Sequence, residues 1–374
     1  MKALLLMPSR FFGGPETQTL QAARELKRRG VDFAFAVFPA GNRATGENPM
    51  VLEARKAGFE AFEFVQRFNY DLPSAFLKIR ALVSSLRPDV VCSIGYKANL
   101  LTAFLSDRPT LAIVHGWTGS APRLKLFEAL DQRTLKRHTA VGYVSPSQLA
   151  KIRALGVPDG RALRLTNALD AASLPPALDR AEFRRSLGLT PGAKLVGAVG
   201  RLSPEKGQRF LVEAFAALHR ERPDSDRSLI LVGDGPDETT LRALVAERGL
   251  GERTRFLGLR ADGARIVGAL DVLVLPSLTE AMPVVALEAC AYRTPIVSSA
   301  VGAMPEILRD GAAGWLAAPG DPAALARGIA EALGDAGRKA EAARANLLAR
   351  YTVEKQAEAW LEALRLCVKE TRPS

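Results

Sequence analysis

The sequence is poor in the residues that build metal and disulfide frameworks. Its three cysteines, Cys92, Cys290 and Cys367, stand far apart, with no Cys-x-x-Cys pair. An odd, scattered set excludes a disulfide scaffold and a zinc knuckle. The three histidines, His115, His138 and His219, show no ligand spacing, so no metal site is expected. No apolar run approaches the ~18 residues needed to cross a bilayer. The opening residues 1–8 break at Pro8 and are too short for a secretory signal. A cytoplasmic protein is therefore expected.

What is present is ordinary for a globular chain. There are 374 residues, 48% hydrophobic and 24% charged, which excludes disordered and fibrous classes and suggests two or three domains. The charge is lopsided. Residues 1–170 carry 24 Lys and Arg against 14 Asp and Glu; residues 171–374 carry 27 against 26. The net charge of +11 thus belongs almost wholly to the first half. An anionic partner for that half is expected. Nucleic acid is disfavoured, since no stacking platform or recognition motif accompanies the charge.

Short apolar runs alternate with amphipathic stretches. Strands are expected at 3–7, 31–38, 90–94, 110–114 and 141–144, with helices at 16–29, 72–86 and 122–137 and a further helix starting near Pro146. A break at 167–176, containing Pro175 and Pro176, reads as a linker. The alternation then restarts, with strands at 195–199, 229–232, 255–257, 272–275 and 295–298. A helix at 353–368 comes last. This pattern specifies two doubly wound α/β domains with parallel sheets. Ligands of such domains bind beyond the carboxyl ends of the strands, where two such edges can face each other across a cleft.

The candidate chemistry lies just after strands. Gly13 and Gly14 follow the first strand and precede a helix whose N-terminus can meet an anion; the same segment also reads as a capped turn. Gly200-Arg201-Leu202 leads to Lys206-Gly207, so two cations can converge on one diphosphate or simply be solvated. Gly233-Asp234-Gly235 allows a tight turn, but Glu238 stands where a dinucleotide fingerprint needs its third glycine. Glu280 sits in a loop, and Glu288 lies in the apolar helix that follows. A carboxylate there needs a hydrogen-bonding partner, either sugar hydroxyls or a structural cation. Asp224 and Asp226 spell an Asp-x-Asp, but ahead of a strand rather than after one.

These residues, with Thr294-Pro295, Gly302-Ala303-Met304-Pro305-Glu306 and Asp310-Gly311, resemble the retaining glycosyltransferases of family 4, of GT-B fold. The resemblance covers nearly the whole chain. It implies a nucleotide-sugar donor, UDP-linked by family frequency, and no cofactor or metal. Arg201 and Lys206 would bind the donor diphosphate, and Glu288 the ribose hydroxyls. Glu280 would lie by the transferred sugar, with backbone N–H groups around Ala281, Met282 and Pro283 holding its hydroxyls and Val284 beside them in the donor site. Gly13, Gly14, Gly200 and Gly233 would let backbone approach the donor. His115 matches a position near the sugar. Ala281 and Met282 depart from the family's usual residues, which bears on donor-sugar identity.

The same resemblance implies an acceptor-side domain at 1–170 and a donor domain at 171–350. A last helix, 351–374, would pack back towards the first domain. The acceptor would be a glycan or lipid-linked molecule of cell-surface polysaccharide, lipopolysaccharide or glycolipid synthesis. The basic first half, with Arg133, Lys136 and Arg137 as candidates, would meet the anionic inner face of the membrane. The competing classes are a phosphorylase of similar architecture and a non-enzymatic two-lobed sugar binder.

Overall fold

A computed structural model describes residues 1–9, 12–39, 47–64, 72–116 and 122–369. The chain divides into two units, one holding residues 1–168 and 353–374, the other residues 169–352. Each is a parallel sheet with helices between the strands.

The first unit runs β1 (Lys2–Ser9), α1 (Gly14–Arg28), β2 (Asp32–Pro39), α2 (Pro49–Lys56), β3 (Glu60–Glu63), α3 (Leu72–Leu86), β4 (Val90–Ile94) and α4 (Tyr96–Thr102). It continues with β5 (Thr110–Val114), α5 (Pro122–Thr134), β6 (Ala140–Tyr143), α6 (Pro146–Ala154) and β7 (Ala162–Arg164). The strand order is β3-β2-β1-β4-β5-β6-β7. Strands β4 and β5 are buried at every position. That is why they read as unbroken apolar runs: helices cover both faces of a parallel sheet. The expected helix at 122–137 is shorter. It ends at Thr134 and tightens into a 3₁₀ turn over Leu135–Arg137, so Lys136 and Arg137 lie on that turn.

The last helix, α15 (Val353–Lys369), belongs to this unit. Trp360, Ala363, Leu364 and Cys367 enter the core beside Phe33, Phe35 and residues of α1. The Trp360 ring meets Phe33 edge-on at 6.3 Å. A polar clasp sits beside this core. Gln18 donates to the Ala168 carbonyl at 2.9 Å and accepts from its N–H at 2.7 Å. Gln356 donates to Gln18 and to the Thr166 carbonyl, both at 3.1 Å. Buried amides thus satisfy the backbone as it leaves the unit.

The second unit runs α7 (Arg180–Ser186), β8 (Lys194–Val199), α8 (Gln208–Glu221), β9 (Arg227–Val232), α9 (Glu238–Glu247), β10 (Thr254–Phe256), α10 (Gly263–Ala269) and β11 (Val272–Leu275). After these come α11 (Val284–Tyr292), β12 (Ile296–Ser299), α12 (Met304–Ile307), β13 (Trp315–Ala317), α13 (Pro322–Gly334) and α14 (Gly337–Arg350). The order β10-β9-β8-β11-β12-β13 is parallel throughout. Its core gathers Leu211, Phe215, Leu231, Val274 and Ile329. Segment 169–179 lies along this unit: Tyr292 donates its hydroxyl to the Pro175 carbonyl at 2.5 Å and Arg265 to that of Pro176 at 2.9 Å.

Candidate active site

In the second sheet β8 pairs with β9 on one side and β11 on the other. The chain therefore leaves β8 and β11 in opposite directions, which opens a crevice at their carboxyl ends. Four loops meet there: those after β8, β9, β11 and β12. Glycines allow the meeting. Gly233, at φ 129°, has no room for a Cβ, which would collide with the Gly200 carbonyl. Gly302, at φ 59°, lies against the carbonyls of Glu280 and Ala281 in the same way. Backbone bonds then lace the loops: Leu202 N–H to Asp234 O at 2.7 Å, Leu278 N–H to Glu205 O at 2.8 Å, and Ala303 N–H to Ala281 O at 2.9 Å.

This lacing brings charges together that are distant in sequence. The Lys206 ammonium donates to Glu280 Oε1 at 2.5 Å, and the Ser277 hydroxyl donates to the same oxygen at 2.9 Å. Glu280 Oε2 makes no hydrogen bond among the described residues and can accept from a ligand hydroxyl. Arg201 is exposed, and its guanidinium makes no hydrogen bond among the described residues. Its backbone is held instead: the Gln208 amide donates to the Arg201 carbonyl at 2.7 Å. Glu205 faces both cations. Burial acts to raise its pKa, but the Ser203 hydroxyl at 2.7 Å and the charges of Arg201 and Lys206 outweigh that, and the pKa is lowered. The corner thus sets two cations against the carboxylates of Glu280 and Glu205, with the Arg201 guanidinium open to an anion.

Glu288 lies on α11, half-buried, with neither hydrogen bond nor ion pair among the described residues. Burial raises its pKa to about 7. A carboxylate left so poorly solvated is a site awaiting donors, since desolvation disfavours its charge. Pro283 caps α11. The N–H groups of Val284 and Val285 open the helix and have no carbonyl four residues back within it, so they offer donors and the positive end of the dipole to an anion. Ala281 is half-buried and Met282 buried.

Sequence reasoning singled out Arg201, Lys206, Gly200, Gly233, Glu280, Ala281, Met282, Pro283, Val284 and Glu288, and all belong to this unit's carboxyl edge or to α11. It missed Ser277 and Gln208. The signal for Ser277 was its place three residues before Glu280, on the same loop after a strand. Asp224 and Asp226 lie at the amino end of β9, where Asp226 accepts from the Thr190 hydroxyl, away from these loops.

The other candidates belong to the first unit. Gly13 takes φ −131°, extended backbone that any residue adopts, and its N–H donates to the Glu16 carboxylate at 3.1 Å. Gly14 opens α1. His115 follows β5, and burial lowers its pKa to about 4, so it is neutral at neutral pH. Arg133 and Lys136 are exposed. Arg137 is partly committed: it donates to the Ala103 carbonyl at 3.0 Å and stacks 4.7 Å over Phe104. Among the described residues no three His, Cys, Asp or Glu gather as a metal site, and no helix is long and apolar enough to cross a membrane.

Comparison with known proteins agrees with this layout. Residues 179–348 match the model of the glycosyl transferases group 1, and residues 13–168 that of a glycosyl transferase 4-like domain. A D-inositol 3-phosphate glycosyltransferase of Corynebacterium efficiens is 37% identical over 174 residues, spanning 44% of this chain and 41% of the relative. This chain therefore spans about two fifths of the length of such first-matched relatives. A 2-deoxystreptamine N-acetyl-D-glucosaminyltransferase of Streptomyces fradiae is 28% identical over 95% of this chain and 91% of its own. The Anabaena protein HepE, crystallised with UDP, superposes with a TM-score of 0.82 over 98% of this chain and 100% of its own, at 23% identity.

Proposed function

The chain belongs to the GT-B glycosyltransferases, its two halves being of the 4-like and group 1 types, and we propose that it moves a sugar from a nucleotide-diphosphate sugar to an acceptor hydroxyl with retention of configuration. The observation that carries this is the corner at the carboxyl edge of β8 and β11. There, among the described residues, an open Arg201, a Lys206 held only by a carboxylate, and the N-terminus of α11 surround a crevice, and Glu288 has no partner.

Each part has a task. A diphosphate displaces Glu280 as the partner of Lys206 and takes the fork of Arg201. Both cations and the N–H groups of Val284 and Val285 then stabilise the charge that grows on the leaving group. Glu288 accepts from two ribose hydroxyls, which replace the water it lost on burial. Glu280, with Oε1 fixed by Ser277, presents Oε2 to a sugar hydroxyl. Gly13, Gly14 and His115 belong to the other unit, and their assignment to the donor rests on the family resemblance. Buried and neutral at neutral pH, His115 can offer a hydrogen bond rather than a charge.

Retention follows if the acceptor attacks from the face the diphosphate leaves, with a diphosphate oxygen taking its proton. Charge neutralisation by side chains and backbone replaces a metal ion in this reading. UDP is the donor nucleotide we favour, supported by HepE's complex. The acceptor is a glycan or lipid-linked molecule of cell-surface synthesis, met at the inner face of the membrane. Supporting this, Leu77 on α3 beside Arg80, and Leu126 on α5 with Lys125 and Arg133, are 63% and 59% exposed, and Phe104 after α4, under Arg137, is 50% exposed. Such a mixture of apolar and cationic side chains suits an anionic lipid surface. Incubation with UDP-, GDP- and ADP-sugars, scoring free nucleoside diphosphate and the anomeric configuration of the product, tests the reading. No release from any donor, or an inverted product, refutes it.

A further inference from the structure

The amino edge of the second sheet carries a second polar feature, at the opposite ends of the strands from the crevice. A cavity of about 240 Å³ opens there between the starts of β8, β11 and β12, the end of α13 and the start of α14. Arg180, Lys194 and Arg293 line it, and Asp271 is the one carboxylate among the lining residues. Three cations and one carboxylate line the wall, with Glu341 paired to Arg293 and Asp335 at the Gly337 N–H just beside it.

That carboxylate is shared, Oδ2 being held by Arg184 and the chain and Oδ1 facing the cavity cations Lys194 and Arg180. Asp271 accepts from the buried Arg184 guanidinium at 2.5 Å and from the Leu195 N–H at 2.8 Å. Arg180 and Lys194 stand off from it at 3.9 and 3.6 Å. Arg180 also donates to the Leu270 carbonyl at 3.2 Å. Lys194 makes no hydrogen bond through its ammonium among the described residues. Arg293 pairs through Nε with Glu341 of α14, which leaves its terminal nitrogens.

Two further observations point the same way. Arg293 is the left-handed cap of α11, at φ 58°, a position where glycine is the unstrained choice. Strain kept at such a position is a reason to ask what the side chain does. Here it holds a guanidinium at the cavity wall. Gly337, Ala340 and the start of α14 form the facing wall. Their small side chains leave room on that side; the Gly337 N–H donates to the Asp335 carboxylate at 3.4 Å and the Ala340 N–H to the Ala336 carbonyl at 2.9 Å, so the opening charge is that of the three cationic side chains.

We infer that this cavity is a second anion site that binds a phosphoryl group, either inorganic phosphate or the phosphate of a small phosphomonoester. Two guanidinium groups match phosphate oxygens, the ammonium adds a point charge, and the volume holds one phosphoryl group with a small body attached. The β8 strand between the two edges spans six residues, roughly 20 Å at a strand's rise. That exceeds the screening length at physiological salt, about 8 Å, so the two sites fill independently.

The test titrates the full chain with inorganic phosphate and with glycerol phosphate by calorimetry. It uses the wild type, an Arg201→Ala/Lys206→Ala variant that disables the crevice, and the variants Lys194→Met and Arg293→Gly. Glycine adopts the left-handed cap freely, so Arg293→Gly folds, and circular dichroism checks each protein. Saturable binding in the wild type and in the crevice variant, weakened about tenfold or more by Lys194→Met and by Arg293→Gly, is the expected result. Tighter binding of the ester would identify a phosphomonoester as the source, equal binding the free ion. Loss of phosphate binding in the crevice variant would place the ion at the donor site and overturn the inference. So would binding that Lys194→Met and Arg293→Gly leave unchanged.

Discussion

Glu288 makes a sharp prediction because burial alone shifts it. Its ordinary carboxylate pKa of 4.5 rises to about 7 in the folded chain. A group whose folded pKa is raised binds more protons folded than unfolded, so stability falls as pH rises between the two values. The folded state bears no penalty below about pH 4.5, loses stability up to about pH 7, and is flat in this respect above. At about 1.4 kcal/mol per pH unit the gap amounts to about 3 kcal/mol, an upper figure because Glu288 keeps some contact with screening water. For a unit of this size each kcal/mol moves the melting midpoint by about 2–4 °C. Other groups titrate over the same range, so the comparison is with Glu288→Gln, which keeps the shape and removes the titration. Urea melts at pH 5 and pH 8 should show the mutant gaining up to about 3 kcal/mol on the wild type as pH rises. Parallel pH curves for the two proteins would refute the reasoning. A ligand extends the experiment. Ribose hydroxyls donating to the carboxylate favour its charged form, so nucleotide binding near pH 6.5 should expel a proton. Calorimetry in two buffers of different ionisation heat reads that proton, and Glu288→Gln should abolish it. Binding without proton release would remove Glu288 from the ribose and leave its burial intact.

Arg201→Ala and Lys206→Ala should each lower kcat about tenfold or more in a folded protein; wild-type turnover in both would end their assignment to the diphosphate. Gly233→Ala should destabilise the second unit by about 2 kcal/mol or more, since its Cβ meets the Gly200 carbonyl and φ is 129°, and denaturant melts measure it directly. Trp360→Ala should cost about 3–5 kcal/mol by emptying the core that α15 shares with Phe33; a loss under 1 kcal/mol would show that α15 contributes little to that unit. The chain should sediment with anionic liposomes at low salt, and less so after charge reversal at Arg133, Lys136 and Arg137. Sedimentation indifferent to lipid charge and salt would leave those cations a solubility role alone.

Much of the fold was legible because its signals are local. Runs such as 90–94 and 110–114 are apolar at every position since both faces of a parallel sheet are covered, and the alternation with helices followed from that. The elements passed over were short, among them α2 of eight residues, β3 reading Glu-Ala-Phe-Glu, β7 of three half-buried residues, and the short α4, α7, α10, α12 and β13. The glycines and charges of the crevice were visible too, because each follows a strand within a few residues. Their partners were not. Lys206 and Glu280 are 74 residues apart, and only the order β9-β8-β11-β12, with Gly233 and Gly302 letting backbones touch, sets one beside the other. The apolar stripe of α15 was written in its periodicity, whereas the surface it covers is given by Phe33 and α1, more than 300 residues earlier. Burial likewise depends on what surrounds a group. The sequence shows Glu288 on an apolar helix, but that it pairs with no cation among the described residues, and so titrates well above the ordinary carboxylate range, is a property of the packed unit.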